Sequence, residues 1–283
     1  MRVIKRKGYH YLQHSFRKKG KIITKELYLG TKIPEDIEKR EEVFLRQHLE
    51  AEVFKKLDSI KTAYKQEWKR IPPSVQKKML VDLSIEFTYN TNAIEGSTIT
   101  LEETEELIKH RMAPHKDIRD IQETLKHSEL FFKIIKKPQP IANETILQWH
   151  KVLFSDSKPD MAGRYRDYLV RVGPYLAPDW QDVRRLMNEF LQWLSSNSGR
   201  MHPIELAARA HYKFEKIHPF GDGNGRTGRL IIANILQKAG YPTLIIEYKR
   251  RMSYYKALSK KEEGFLTYFI RRYLRAHQRY LKK

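Results

Sequence analysis

The 283-residue sequence contains no cysteine, which removes disulfides, thiolate metal sites and cysteine nucleophiles together. It has no apolar run approaching the length of a membrane-spanning helix. It also lacks a His-Glu-x-x-His pair from which a zinc site could be built. Acidic residues are scarce beside basic ones, 34 against 55, for a formal net charge of +21. Glycine is sparse as well, 13 residues in all, so its clustering near residue 225 stands out.

What is present is concentrated in His218-Pro-Phe-Gly-Asp-Gly-Asn-Gly-Arg-Thr-Gly-Arg229. Glycines let backbone N–H groups close on an anion, and a following helix start adds the positive end of its dipole. Arg226 and Arg229 stand three apart, so on a helix they share a face and can hold neighbouring phosphates with forked donors. Asp222 is the lone carboxylate that Mg²⁺ takes from a protein when phosphates supply its other ligands. His218 can accept a proton near neutral pH. The combination points to phosphate chemistry.

Two plainer accounts compete. Gly223-Asn-Gly225-Arg-Thr-Gly228 matches the dinucleotide pattern G-x-G-x-x-G, with Glu247 about twenty residues beyond it, after the strand-like Thr243–Ile246. That pattern must follow a β-strand. Here Ile204–Ile217 precedes it, with apolar residues three or four apart (Leu206, Ala207, Ala210, Phe214, Ile217), and reads as a helix. The unit is helix–loop–helix, so the dinucleotide account fails on context. No Lys-[Ser/Thr] closes the glycine run, which excludes a Walker loop. The other account, an ordinary glycine-rich turn, needs one or two of these residue types but not all of them.

The stretch resembles the active-site motif of the Fic-domain family, whose members transfer AMP from ATP to a hydroxyl side chain of a target protein. Position 225 is Gly, where the phosphate-transferring toxin branch carries Lys, so the resemblance implies adenylyl transfer. It implies further that His218 deprotonates the target hydroxyl for attack on the α-phosphate, and that Asp222 holds Mg²⁺. The backbone around Gly223, Asn224 and Gly225 would form the anion hole, with Phe220 counted among the nucleotide-binding residues. Arg226 and Arg229 would grip the β- and γ-phosphates.

Upstream, Thr91-Asn-Ala-Ile-Glu95-Gly96 closes an apolar-periodic stretch that runs from Val75 through Met79, Leu80, Leu83 and Phe87. Gly96 is placed as a helix stop. The segment is similar to the family's inhibitory motif, [Ser/Thr]-x-x-x-Glu-[Gly/Asn], with Thr91, Glu95 and Gly96 at the defining positions. This implies that Glu95 pairs with Arg229 in the place of the γ-phosphate. Taken alone, a solvated glutamate before a helix-stopping glycine is the commoner state; beside a full active-site motif, inhibition is the stronger reading. In some relatives the matching Glu positions a water that removes AMP, so a de-AMPylating phosphodiesterase stays as an alternative. A non-catalytic nucleotide- or nucleic-acid-binding regulator is another.

Gly163–Tyr175 alternates, with Tyr165, Leu169 and Val170 bounded by Gly and Gly-Pro, and predicts a short β-hairpin. In the resembled family a flap at this spacing presents an extended target segment by strand addition; a purely structural hairpin is an equal alternative. Tyr254-Tyr255 resembles the family's aromatic pair beside the adenine, although Lys260-Lys261-Glu262 stands where an acid or amide often follows.

The expected fold is mainly α: a Fic-type helical bundle with a short β-hairpin flap and a small N-terminal β-hairpin module. That basic module takes 1–32, from two strands around Arg17-Lys-Lys-Gly20. A long connecting helix follows over 33–72, running from Pro34 to near Arg70 and stopped by Pro72-Pro73. A Fic domain over 73–265 would carry the inhibitory helix (75–96), the flap (163–175) and the loop 218–229; a basic C-terminal helix takes 266–283. Thr100-Leu-Glu-Glu103 forms a capping box, and a last helical run over 252–281 breaks near Gly264.

Charge sits at the two ends. Residues 1–30 carry nine Lys/Arg against one acid and residues 249–283 twelve against two, leaving the middle nearly neutral at 34 against 31. Basic ends suit nucleic acid or an acidic partner, yet a lysine-rich solvated face looks the same, and the plainer account is preferred. The expected partners are ATP, a protein presenting a Ser, Thr or Tyr hydroxyl, the chain itself through self-modification, and a second copy as a homodimer. Nucleic acid is not favoured and no membrane partner is expected. An ATP-using enzyme whose basic N-terminus (Arg2, Lys5, Arg6, Lys7) lacks the apolar core of a secretory signal is expected in the cytoplasm.

Overall fold

A period of two builds the start of the chain and a period of 3.6 builds the rest. The computed structural model describes residues 1–18 and 21–281, divided into two units, Met1–Asp58 and Ser59–Lys283. The first unit opens with an antiparallel sheet in the order β1 (Arg2–Arg6), β2 (Tyr9–Lys18), β3 (Lys21–Gly30). The expected hairpin therefore gains a strand. β1 joins β2 through Lys7-Gly8, both at positive φ (49° and 83°), the two-residue turn whose twist matches that of paired strands. Lys at the first turn position hides this signal, because turns of that kind are read from Asn-Gly or Asp-Gly. Lys19 and Gly20, the centre of the other expected turn, lie outside the described residues.

Alternation along the strands buries Leu12 and Leu29 on one face, where they pack with Phe44 of α1 (Ile37–Leu49). A π turn, Glu50–Phe54, then leads into α2 (Lys55–Arg70), so the single helix expected over this span is interrupted. One extra residue per turn only rotates the apolar stripe, and periodicity in the sequence does not reveal it.

The second unit is helical: α3 (Pro73–Ile94), α4 (Leu101–His110), α5 (Ile118–Lys136) and α6 (Asn143–Phe154) precede a small hairpin, β4 (Arg171–Val172) and β5 (Tyr175–Leu176). Then come α7 (Val183–Asn197), α8 (Pro203–Ile217), α9 (Asn224–Lys238), α10 (Arg251–Leu258) and α11 (Glu262–Ala276). Pro73 starts α3 where its missing N–H costs nothing. Thr100 Oγ1 accepts from the Glu103 N–H (3.1 Å) while Glu103 accepts from the Thr100 N–H (2.8 Å), the reciprocal cap expected for α4. The last helical run breaks at 259–261, not at Gly264, which lies in the first turn of α11. The start signal of Glu262 and Glu263, acids at a helix N-terminus, sets the break. Thr243–Ile246 belongs to neither sheet despite its strand-like composition.

α9 is the central element. Every residue from Asn224 to Leu236 is buried, and the helix packs against α3, α5, α6 and α8. A helix without a solvent face must satisfy whatever polar groups it carries from its neighbours. α3 is aligned beside it by α5. Phe87 stacks on Phe131 with centroids 4.0 Å apart. Around them run three buried polar rungs: Ser84 to Ser128 (2.6 Å), Thr88 Oγ1 to His127 Nδ1 (3.0 Å) and Asn92 Nδ2 to Thr124 Oγ1 (3.1 Å). The α3 partners are four apart and stack along one face. Sliding α3 by a residue would leave these groups buried without partners, so the seam dictates where the end of α3 arrives.

Candidate active site

α8 ends at His218, whose backbone turns left-handed (φ 51°, ψ 59°) while its N–H still reaches the Phe214 carbonyl at 3.0 Å. A non-glycine residue rarely adopts that turn unless the surroundings hold it. Arg166 does so. Buried itself, it donates to the carbonyls of His218 (2.8 Å), Tyr168 (2.9 Å) and Pro178 (2.7 Å). From the other side the Asn224 amide closes the loop on the Phe220 backbone, donating to its carbonyl (2.8 Å) and accepting from its N–H (2.9 Å).

Phe220 is completely buried and stacks on His150, ring centroids 3.8 Å apart. Its side chain therefore anchors the loop from beneath, which corrects its expected place at the nucleotide. The Gly163 N–H donates to His150 Nδ1 (3.0 Å), so Nε2 carries the proton given to the Asp222 carbonyl (2.9 Å). Burial lowers the His150 pKa to about 4 and keeps the ring neutral. Gly223 has φ 78°, and a Cβ there would run into the Phe154 ring.

No side chain caps the first turn of α9. Its amides are left for an anion, and the Glu95 carboxylate lies against it, so close to Gly225 that a Cβ there would collide with Oε1. The same oxygen accepts from Arg229 at 2.5 Å, and Arg229 gives a further bond to the Thr91 carbonyl (3.2 Å). Arg229 is only 2% exposed; its Nε and second terminal nitrogen have no hydrogen-bond partner. Glu95 caps α3 and Gly96, at φ 97°, turns the chain away. The pairing of Glu95 with Arg229 is thus present, delivered by the polar seam between α3 and α5.

One turn earlier, Arg226 is gripped by Glu123 of α5 and reaches Asp222 Oδ2 at 3.2 Å. Lys158 donates to that same oxygen at 2.5 Å and lies 3.2 Å from Glu123. Burial alone would raise the Asp222 pKa, but Arg226 and Lys158 draw it down to about 2, so it is ionised at neutral pH. Asn92, Glu95, Glu123, Lys158, Asp222 and Arg226 line a polar cavity of about 140 Å³. Among the described residues no three side chains are gathered as a metal cage. Asp222 nevertheless fits what Mg²⁺ asks of a protein in a phosphate site: one ionised oxygen ligand facing a polar cavity, here answered by the Lys158 cation.

His218 Nδ1 is buried without a hydrogen-bond partner, 4.0 Å from the Glu215 carboxyl. Burial lowers its pKa below 6.5, leaving the ring neutral and able to accept a proton. Burial also raises Glu215 to about 8, with the nearby Glu95 charge adding to the effect. Behind it His211, lowered to about 3 by burial, bonds the Tyr254 hydroxyl at 2.7 Å. Tyr254 is 1% exposed, so its expected place beside an adenine is corrected: it braces the floor of the site. Tyr255 is open to solvent, and its hydroxyl donates to the Ile94 carbonyl (2.7 Å) at the end of α3.

The hairpin lies later and is shorter than the alternation over 163–175 predicts. Only Arg171–Val172 pairs with Tyr175–Leu176. The preceding segment is tied elsewhere: the Arg166 N–H donates to the Pro219 carbonyl of the active-site loop (2.9 Å), and the Tyr165 hydroxyl donates to Asn143 at the start of α6 (2.7 Å). Tyr175 ties the hairpin to the Lys216 carbonyl at 2.7 Å. Glu123, Lys158, Arg166 and Glu215 escaped the sequence reading. Glu123 alone had a signal, as an acid on the face of α5 that also carries Thr124 and His127.

Residues 140–236 match the model of the Fic/DOC family. The chain carries a Fic domain. It is similar to protein adenylyltransferase Fic of Nematostella vectensis, 36% identical over 211 residues, covering 72% of this chain and 49% of that protein. The namesake from Drosophila ananassae is 38% identical over 188 residues, covering 65% and 38%. The chain thus spans about half, or less, of the length of these curated relatives. The structure of Fic-1 from C. elegans superposes with a TM-score of 0.70 at 26% identity, over 84% of this chain and 72% of that one. A Fic domain containing signaling protein from Bacteroides thetaiotaomicron, 21% identical, shares the fold with a TM-score of 0.71 over 80% and 96% of the two chains. The Fic/DOC match begins at Pro140, so Glu95 and α3 lie outside it although they complete the pocket.

Proposed function

We propose that the Fic domain transfers AMP from ATP to a hydroxyl side chain of a protein, and that Glu95 restrains it. One observation carries this reading: the uncapped first turn of α9, with Arg226 and Arg229 behind it, is covered by a carboxylate from another helix. A protein anion rests where a phosphate anion would be held. A carboxylate and a triphosphate tail compete for one guanidinium fork. Coupling of that kind changes activity by roughly 5- to 150-fold. Tyr255, bonded to the Ile94 carbonyl, links the nucleotide side of the site to the same restraint.

In the reaction, the target hydroxyl oxygen attacks the α-phosphorus, its proton passes to neutral His218, and pyrophosphate leaves. With Nδ1 turned to Glu215, Nε2 is the nitrogen left for the substrate. Negative charge grows on the α-phosphate oxygens, which the α9 amides would meet once Glu95 is displaced, and on the leaving pyrophosphate, which Arg226 and Arg229 would hold. Asp222 would hold Mg²⁺, which supplies charge neutralisation between phosphates. The hairpin exposes Leu169, Val172 and Leu176, apolar side chains beside a free strand edge that suit an extended target segment.

The test is incorporation from α- and γ-labelled ATP by wild type, Glu95→Gly and His218→Ala in a cell lysate. Label from the α-position alone, raised in Glu95→Gly and absent in His218→Ala, supports the proposal. Label from the γ-position, or none in Glu95→Gly, overturns it. A phosphodiesterase that uses Glu95 would lose activity in Glu95→Gly where a restrained transferase gains it.

A further inference from the structure

None of the site residues named above comes from the N-terminal sheet, whose open face is chemically distinctive. The strand register puts Leu12 and Leu29 on the core face, so Arg2, Arg6, Tyr9, Tyr11 and Tyr28 share the other. The tyrosines form one cluster: Tyr28 lies 5.8 Å from Tyr9 and 5.5 Å from Tyr11, centroid to centroid. Tyr9 and Tyr28 remain 42% and 54% exposed, and the Arg6 guanidinium sits 5.6 Å over the Tyr11 ring. Glu26, the one acid among residues 1–30, is already engaged by Arg6 (3.0 Å) and Gln13 (2.8 Å). The remaining basic residues of this segment therefore meet no further acid within it.

Scattered lysines on a solvated face would leave the tyrosines dispersed or buried; here they are gathered in the open. Gathered aromatic rings and excess positive charge serve two parts of one ligand. Bases stack on rings whatever their sequence, and phosphates seek Arg and Lys. An acidic protein would use the charge but not the ring platform, and a duplex keeps its base faces stacked inside. We propose that the open face of β1–β3 binds single-stranded nucleic acid, with Tyr9, Tyr11 and Tyr28 stacking on bases and Arg2 and Arg6 meeting phosphates. The site is separate from the Fic domain's chemistry and stands or falls without it.

The test is fluorescence anisotropy with the full chain and labelled oligo(U), oligo(dT) and a duplex of equal length, over a series of salt concentrations. Single strands should bind ahead of the duplex, and the oligo(U) and oligo(dT) arms then distinguish RNA from DNA. Affinity should fall with salt, the logarithmic slope counting about 0.7 for each phosphate met. Replacing Tyr9 and Tyr28 by Ala should weaken binding by about 5- to 150-fold for each stacked base lost. A Tyr9→Thr, Tyr28→Thr pair keeps strand propensity and should show the same loss, which separates lost stacking from a loosened sheet. Arg2→Gln with Arg6→Gln, the two cations that the register puts on the tyrosine face, should flatten the salt slope. Binding that prefers the duplex, survives loss of both tyrosines unchanged, or is absent at low salt overturns the proposal.

Discussion

The two units of this chain treat charge in opposite ways. In the Fic domain the two site arginines are buried and each has a designated partner, Arg226 with Glu123 and Arg229 with Glu95, while Asp222 and Lys158 pair at the edge of the same cavity. In the N-terminal sheet the ions face water, and the Arg6–Glu26 pair has 57% and 29% of its side-chain surfaces exposed. Inward charges act through geometry, because removing one partner strands the other in a medium that solvates it poorly. Outward charges act through number and are screened by salt. One arrangement suits a reaction, the other a surface.

The strongest way to sharpen that contrast is to remove the base. His218→Ala should lower labelled product by about 10²- to 10⁴-fold or more, with unfolding by urea little changed. Glu123→Ala leaves the Arg226 guanidinium buried without its main partner, at a cost of about 3–5 kcal/mol in the same urea titration. Glu95→Gly frees Arg229 and the α9 amides, and AMP incorporation should rise by about 5- to 150-fold. Adding a carboxylate-free anion such as pyrophosphate should then inhibit the variant more than wild type.

Titration probes the inward side more gently. The folded Glu215 carboxyl is raised to about 8, so the native state holds a proton that the unfolded chain has lost. Its contribution is complete below the unfolded value and disappears as pH climbs to about 8, at up to about 1.4 kcal/mol per pH unit. Urea midpoints of wild type should therefore fall relative to Glu215→Gln between pH 5 and pH 8; parallel midpoints would break the assignment. Buried His211 has the opposite sign: lowered to about 3, it stabilises above the unfolded value near 6.5 and loses that contribution in acid. The smallest effect is expected outside. Arg6→Ala should leave the unfolding midpoint where it is, because its pair with Glu26 is solvated.

The parts legible in the sequence are those whose partners are near in the chain. The loop 218–229 packs its roles into twelve residues, and the Thr100–Glu103 cap spans a single turn. The third strand was missed because a Lys-Gly turn carries no familiar signal, and the π turn because an added residue leaves periodicity intact. Lys158 and Arg166 lie in irregular chain between α6 and α7, where no period marks a buried side. Their partners stand 64 and 52 residues away, at Asp222 and His218. Phe220 and Tyr254 illustrate a subtler limit. Their presence in a motif says that they matter, but an aromatic ring that braces a site and one that faces a ligand look the same in sequence.

By itself, then, the order of residues determined the chemical types available, the helical periods, and the candidate acid for Arg229. Folding alone decided which carboxylate meets which guanidinium, which tyrosine faces water, and which face of the basic sheet stays open. The reason is that propensity and spacing act over a few residues, whereas electrostatic partnership and burial depend on distances in space. Those distances are set by the packing of α3 and α5 around α9, and by which side of β2 covers Phe44.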